Sequence, residues 1–285
     1  QAAAFAASLT RLAFLAVALF QGHLVLADAL WAELLGNGVA LAIALGVLIR
    51  QLRPGHGRLP SGLRARMGRF ALFNYLGQML RQTQGPHGLR LAVVSALGVA
   101  ASAQFGFVMS LADTLQRYLP TTLFAGLLRP VLVSRYLEPG GSGRLGRYAA
   151  ILFKLNLLLV LPAVALTLVQ GETLAALLGG EKYREARWLL PAAFLLLTVV
   201  SHSLIISLVA NTIERNGLQL WGGSLAAAGL VLGFVLAESF GPYGVLLGTL
   251  LGAIAYNSFA VHYLRRHGQP YGVDWRAVAR LVLAA

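Results

Sequence analysis

The sequence predicts an all-α fold, a polytopic transmembrane helix bundle of about eight spans with the start of a ninth. Its 285 residues are 58% hydrophobic and only 12% charged, which leaves too little polar surface for a water-soluble globule of this size. Apolar runs of roughly 20 residues, each long enough to cross a ~30 Å hydrocarbon core as a helix, follow one another with short polar joints. Basic residues are also concentrated in every second joint, as they are in the cytoplasmic loops of membrane proteins.

The apolar runs set the position of each predicted span. Turn-forming sequences separate them, namely RPGHGRLPSG before the third, LEPGGSGR before the fifth, ERNG before the seventh and SFGPYG before the eighth. These joints are too short to contain a soluble catalytic domain. The predicted spans are 2–22, 29–49, 68–84, 97–128, 146–169, 189–211, 218–237 and 243–264, with 274–285 beginning a ninth.

The distribution of positive charge predicts the orientation of the spans. Thirteen arginines lie in one set of joints and five basic residues lie in the other, so the first set is predicted to be cytoplasmic. The cytoplasmic set is Arg50, Arg53, Arg58, Arg64, Arg66, Arg69, Arg135, Arg144, Arg147, Arg215, Arg265, Arg266 and Arg276. The opposite set is Arg81, Arg90, Lys182, Arg184 and Arg187.

Composition also argues against several function classes. The net charge of +13 invites a nucleic-acid partner, but the charges lie between spans and not along one water-exposed face, so we predict none. The chain has no cysteine, and its six histidines show no i, i+4 pair and no HExxH motif, so neither a metal nor a cofactor is predicted. No His–carboxylate pair or nucleophile motif indicates an enzyme.

Polar residues at membrane depth are the candidates for a functional site, because a charge facing lipid near the bilayer centre costs about 2.5–3.5 kcal/mol. On the third span, Asn74, Gln78 and Arg81 are spaced i, i+4, i+7 and form one polar stripe. Such a stripe lines water or a substrate cavity. The alternative is a ladder of interhelical hydrogen bonds with Arg81 extending to the headgroups.

The fourth span contains the strongest candidates. Asp113 and Arg117 are spaced i, i+4, the favourable order for a helical ion pair, and Pro120 predicts a kink beside them. The pair is either purely structural or functional, with Arg117 meeting an anionic substrate and Asp113 coupling an ion or proton. A kink beside intramembrane charges is typical of transport sites. We expect Arg117 to face the bundle interior.

Later spans add further cavity candidates. Lys154 lies about two turns from the cytoplasmic edge and either faces the cavity or extends to the headgroups. His202 could relay protons or donate to a glycan, or it is hydrogen-bonded to a neighbouring helix. Asn211 adds an amide on the same span, and Pro162 is a second candidate hinge.

Three segments resemble a known family. The run AQFGFVMSLADTLQRYLPTTLFAGLLRPVLVSRY resembles the long helix after the central loop of polysaccharide flippases in the multidrug/oligosaccharidyl-lipid/polysaccharide exporter superfamily, with Pro130 before a basic joint. TLAALLGGEKYREARWLLP is similar to the family's periplasmic G-x-x-Y-x-x-A segment, through Gly180, Tyr183 and Ala186. ESFGPYGVLLGTLLGAIAYN resembles its Gly-rich loop and helix near the end. The likeness covers about residues 5–265.

The resemblance implies how the chain is organised. Residues 1–50 would be the last two helices of an N-terminal transmembrane lobe, 51–69 a basic cytoplasmic linker between lobes, and 70–285 the C-terminal lobe. Because Gln1 already lies in an apolar run and Ala285 ends one, we expect a fragment that lacks roughly the first four helices of the family.

The resemblance also implies a function. Family members move a lipid-linked oligosaccharide or polysaccharide precursor from the cytoplasmic to the periplasmic leaflet of the bacterial inner membrane by alternating access. The expected substrate is an undecaprenyl-diphosphate-linked glycan for O-antigen of lipopolysaccharide or for exopolysaccharide, with a polymerase and glycosyltransferases as partners. By depth and spacing, Arg81, Arg117 and Lys154 would meet the diphosphate, and Asn74, Gln78, His202 and Asn211 the sugar hydroxyls.

Three alternatives stay open at this point. A drug/cation antiporter of the same superfamily would need intramembrane carboxylates, and the single Asp113, which Arg117 can pair, fits that need poorly. A lipid-handling membrane enzyme would need general acids or bases near an interface. A non-transporting scaffold that presents lipid to partners is the third.

Overall fold

A computed structural model describes residues 2–20, 26–51, 62–82, 85–215, 217–269, 271–273 and 278–280. Of these residues 93% are helical and none forms a strand, so the predicted all-α class is confirmed. Most of the predicted ninth span, 274–285, lies outside the described residues.

The chain divides into two compact units, 1–64 and 65–285, at a boundary inside the predicted linker. The first unit contains α1 (Ala2–Phe20) and α2 (Leu26–Gln51), which pack against each other. Arg11 of α1 forms an ion pair with Glu33 of α2 at 2.9 Å and donates from Nη2 to Asn37 Oδ1 at 2.9 Å. The half-buried Arg11 of the first helix thus has its Nη2 contacts within its own unit.

The second unit contains the remaining helices. After α3 (Leu63–Gln82), whose first two residues belong to the first unit, come α4 (Pro86–Tyr118), α5 (Pro120–Leu123), α6 (Ala125–Leu137) and α7 (Gly141–Gly179). A 3₁₀ helix (Glu181–Trp188) then leads into α8 (Leu189–Thr212), α9 (Gly217–Phe240) and α10 (Pro242–Arg266).

Six helical segments of the described residues are long and apolar enough to cross a membrane, which supports the membrane class. The apolar part of α1 is shorter, and α3 does not qualify because arginines occupy its first half. The six are Ala27–Val47, Gly88–Tyr118, Gly141–Gly179, Glu181–Thr212, Gly217–Phe240 and Pro242–Arg266.

Helix α4 is not a single straight rod, because the chain reverses at Gly98. This glycine has φ +82° and ψ −176°, a backbone conformation essentially restricted to glycine. Arg90 Nη2 donates to the carbonyl O of Gly106 at 3.1 Å and to Ser110 Oγ at 2.6 Å. Arg90 and Gly106 would lie about 24 Å apart on a straight helix, far beyond the reach of an arginine. The segments 86–97 and 99–118 are therefore two arms of a hairpin.

Helices α3 and α4 both pack against α9. A Cβ placed on Gly77 of α3 would lie 3.1 Å from Gln219 Cβ, at the beginning of α9, and Leu80 Cβ lies 3.3 Å from a Cβ placed on Gly223, one turn further along. In the first arm of α4, Val93 belongs to the same buried cluster as Ala237, near the end of α9. Helix α9, at about 36 Å, is long enough to cross the hydrocarbon core.

The second arm is interrupted where Pro120 predicts a kink. Leu119 is extended, with φ −61° and ψ 137°, and α5 restarts with Pro120 in its first turn. Asn156 of α7 occupies the break: its Nδ2 donates to Thr121 Oγ1 at 2.8 Å, and its Oδ1 accepts from the Thr121 backbone N–H at 3.4 Å. Backbone groups freed inside a membrane require such partners. By contrast, α7 continues through Pro162, and its non-helical residue is Gln170.

Helices α9 and α10 approach most closely through glycines. A Cβ placed on Gly252 would lie 2.8 Å from both Ala226 O and Gly229 Cα, so only glycine fits there. Small residues allow this contact between backbones in the absence of a hydrophobic driving force. This close contact, the α9–α10 seam, holds the two helices together, and both line the site described next.

Candidate functional site: an intramembrane cavity at Asp113

A cavity of about 220 Å³ lies between α4, α8, α9 and α10, and we name it the Asp113 cavity. At ~30 Å³ per liquid water, it accepts about seven waters, the scale of an ion or a small headgroup. Its lining is Gly85, Leu89, Met109, Ala112, Asp113, Gln116, Ala193, Leu196, Leu197, Val200, Ser203, Leu204, Ala226, Thr249, Ala253 and Tyr256.

A few polar groups interrupt this mainly apolar lining. Asp113 and Gln116 come from the second arm of α4, and both are half-buried. Ser203 Oγ donates to Asn257 Oδ1 at 2.8 Å, and Thr249 Oγ1 donates to the Val245 carbonyl O at 2.8 Å, so the remaining lone pairs of both hydroxyls are available as acceptors. Such a set of oxygens with one carboxylate can hold a small cation or a proton.

The beginning of the first arm of α4 and the interruption of its second arm both lie near this cavity. Gly85, the N-cap of the first arm of α4, lines it, and the Leu89 N–H donates to the Gly85 carbonyl O at 3.0 Å to begin that arm. Asp113 lies six residues before the interruption at Leu119. Transport sites are commonly formed by such discontinuous helices, whose ends offer uncompensated backbone groups.

The predicted polar stripe of α3 lies partly apart from this cavity. Asn74 is half-buried, and among the described residues no donor bonds its buried Oδ1. Gln78 is exposed, and the side chain of Arg81 lies outside the described part of the chain. The residues that contact α9 are Gly77 and Leu80, so the packed face of α3 is offset from the predicted stripe.

Two of the predicted cations, Arg117 and Lys154, do not line the Asp113 cavity. Arg117 is exposed and is not part of this lining, to which the same arm contributes Asp113 and Gln116. Lys154 is half-buried on α7, a helix that contributes nothing to the lining. Among the described lining residues, Asp113 is the charged one.

His202 and Asn211 have defined hydrogen-bond partners. His202 is only 6% exposed, and its Nε2 shares a 2.7 Å hydrogen bond with Tyr271 Oη. Burial raises the pKa of the Tyr271 phenol, and Tyr256 adds to the rise, so the phenol stays protonated. Asn211 Oδ1 accepts from Gln219 Nε2 at 2.7 Å. The partner of His202 comes from the segment after α10 and not from a neighbouring span.

Sequence reasoning missed several residues that build the site. Gly85 was predicted in a periplasmic joint, yet it lines the cavity, because the reversal occurs 13 residues later at Gly98. Asn257 and Gln219 escaped notice, although an amide within an apolar run is itself a signal. Gly98 gave no signal, since glycines are frequent throughout these spans.

The comparisons with known proteins do not identify a relative. No protein-family model matches the chain, no curated protein matches it, and no solved structure does.

Proposed function

We propose that the chain is part of a flippase of the multidrug/oligosaccharidyl-lipid/polysaccharide exporter superfamily. It moves a lipid-linked oligosaccharide or polysaccharide precursor across a bacterial inner membrane by alternating access. The substrate is an undecaprenyl-diphosphate-linked glycan, and the partners are the polymerase and glycosyltransferases of the same pathway. The observation that carries the proposal is that both arms of the interrupted helix α4 line the Asp113 cavity.

The reversal at Gly98 and the interruption at Leu119 support a count of eight membrane crossings. The segment α3 plus the first arm of α4 makes one composite span, and the second arm plus α5 and α6 makes the next. With α1, α2, α7, α8, α9 and α10, the total within the described ranges is eight. The arginine sorting fits this arrangement, because Arg135 and Arg144 then flank one cytoplasmic joint, and the periplasmic turn moves from the predicted 85–96 to Gly98.

In this proposal the Asp113 cavity binds the coupling ion and not the glycan. Its volume suits an ion with a few waters, and a lining that combines a carboxylate with hydroxyl and amide oxygens favours a proton or a small cation. Binding of the ion shifts the population between two arrangements of the interrupted helices, as alternating access requires. The glycan passes through a wider opening formed when the helices rearrange.

A drug/cation antiporter of the same superfamily is the second candidate, and one observation favours it. The charged residue in the described cavity lining is an acid, whereas a diphosphate site would present cations. Both candidates need Asp113, so the transported substrate distinguishes them.

The test uses the full-length protein in a strain that lacks its own exporter. Asp113→Asn removes the charge, and Glu238→Gln, at an exposed position of α9 outside the cavity lining, is the matched control. We expect Asp113→Asn to abolish surface glycan at matched protein level and Glu238→Gln to leave it unchanged. Loss of cation-driven drug efflux with normal glycan export would favour the antiporter. Normal behaviour of Asp113→Asn in both assays would refute ion coupling at Asp113.

The basic residues are tested separately. If Arg81, Arg117 and Lys154 contact diphosphate in an open state, replacing each by alanine reduces glycan export, and Arg117→Lys has an intermediate effect because it keeps the charge without the planar fork. Normal export by all three alanine variants would show that these cations serve only interfacial anchoring or structural pairing.

A further inference from the structure

A second cavity, of about 420 Å³, lies between α7, α8, α10 and the segment that follows α10. We name it the Arg265 cavity. On α10 its lining includes Ile254, Val261 and Arg265, at i, i+7 and i+11 on one face of the helix. These positions span about 16 Å along the axis. The stripe begins at an apolar residue near the middle of α10 and ends at a cation in the last turn.

The opposite wall is apolar. Helix α7 contributes Phe153, Leu157 and Leu161, which are aligned at i, i+4 and i+8. The cavity is therefore a mainly apolar slot with a polar outer end. Its other polar lining residues are Thr198, His202, Asn257 and Ser258, of which Asn257 and His202 already have hydrogen-bond partners. At ~30 Å³ per water-sized group, it accepts on the order of ten such groups.

The guanidinium of Arg265 is oriented by the chain itself. Its Nε–H donates to the Tyr271 carbonyl O at 3.0 Å. Within the described ranges no carboxylate lies at ion-pair distance from it, and no acidic side chain lines the cavity. His262, one turn earlier, is exposed beside it. The outer end of the slot thus offers a positioned positive charge whose η nitrogens can engage phosphate oxygens.

The segment after α10 closes one side of the slot. Tyr271 is 2% exposed and bonds His202 through its phenol, so the segment is anchored from both its side chain and its backbone. Val273 and Val278 extend the apolar lining on that side. A slot that is mainly apolar within and cationic at its mouth matches an amphipathic anion.

We propose that the Arg265 cavity binds an anionic phospholipid of the surrounding bilayer. Its phosphate lies at Arg265, and one acyl chain lies along α10 against α7. Arg265 belongs to the arginine-rich joints, so the lipid comes from the leaflet on that side. The site goes beyond transport, because a resident lipid joins α7, α10 and the segment after it whether or not Asp113 couples an ion.

The test measures lipid retention. Protein reconstituted into nanodiscs of equal phosphatidylglycerol and phosphatidylcholine is extracted in mild detergent, and native mass spectrometry counts the lipids that stay bound. We expect one phosphatidylglycerol to be retained in preference to phosphatidylcholine. Arg265→Gln should weaken retention about tenfold or more, as expected for the loss of a hydrogen-bonded charge. Arg266→Gln, which removes the same charge at an exposed position outside the lining, should behave as the wild type.

Equal losses in the two variants would show a general attraction of the basic surface and would overturn the proposal. Equal retention of phosphatidylcholine would do the same. Arg265→Lys keeps the charge but loses the Nε–H donation to Tyr271, and we expect retention between that of the wild type and that of Arg265→Gln. A Lys variant as defective as the Gln variant would mean that Arg265 only holds the Tyr271 segment in place.

The apolar half of the site has its own variant. Val261→Trp fills the slot while leaving Arg265 intact, and we expect it to lose the phospholipid. Unchanged retention would show that no acyl chain lies there. An excess of inorganic phosphate should not displace the lipid, since phosphate lacks the chain, and complete displacement would refute the role of the slot. Thermal unfolding of each variant in the same detergent establishes that it is folded.

Discussion

Replacing Gly98 by alanine tests the reversal on which the site depends. At φ +82° and ψ −176°, a residue with a Cβ is strained, at a cost of about 1–3 kcal/mol. The space around Gly98 is open, since a Cβ there would meet no described atom within 4 Å. The whole effect of Gly98→Ala therefore comes from backbone conformation and not from a clash.

Gly106→Ala is the matched control on the second arm of the same hairpin. A Cβ there would lie 3.6 Å from Arg90 Nε, an ordinary van der Waals contact, and Gly106 is helical. Alanine should be neutral or stabilise by up to about 1 kcal/mol because of its higher helix propensity. The free energy of unfolding, measured by SDS titration in mixed micelles, should thus fall for Gly98→Ala and not for Gly106→Ala.

The reversal at Gly98 also predicts that residues 90 and 106 lie close together, which cross-linking can measure. The chain has no native cysteine, so cysteines placed at 90 and 106 can be cross-linked without background. We expect a short bifunctional maleimide to join them, whereas on a straight helix they would be about 24 Å apart. A stable Gly98→Ala variant together with no cross-link would refute the hairpin and, with it, the position of Gly85 in the cavity.

Three further predictions concern topology and packing. A cysteine at Val99, which is 78% exposed beside the turn, should react with a membrane-impermeant maleimide added on the periplasmic side. A cysteine at Gly85, in the cavity lining, should be protected from the same reagent. The reverse pattern would contradict the composite span. Asn156→Leu should lower the free energy of unfolding by about 1–3 kcal/mol, because it leaves the Thr121 N–H and hydroxyl unpaired. A double-mutant cycle with Thr121→Val should show coupling between the two residues. Gly252→Leu should destabilise the bundle by about 1–3 kcal/mol or more, as overpacking does, because the backbone of α9 leaves no room for the new side chain. An unchanged unfolding midpoint in detergent would show that α9 and α10 pack less closely than in this structure.

The sequence by itself determined the properties that depend on local composition. Membrane residence follows from the apolar runs, and the helical class follows because only internally hydrogen-bonded backbones are stable in lipid. Two interruptions were also readable locally. Pro120 lacks a donor and disfavours a helical Leu119, so the second arm ends there. The predicted end of the fifth span at Val169 lies next to the non-helical Gln170 of α7, because a polar residue ends the apolar run.

Only the tertiary structure decided what the polar residues do. Hydropathy cannot distinguish a straight helix from a hairpin of the same residues, so the reversal at Gly98 and the arrival of Gly85 beside Asp113 were not predictable. The direction in which a side chain points depends on how each helix is rotated against its neighbours. That rotation is fixed by contacts far apart in the chain, such as those of Gly77 with Gln219 and His202 with Tyr271. Charge at membrane depth can be read from a sequence, whereas its partner is chosen by packing.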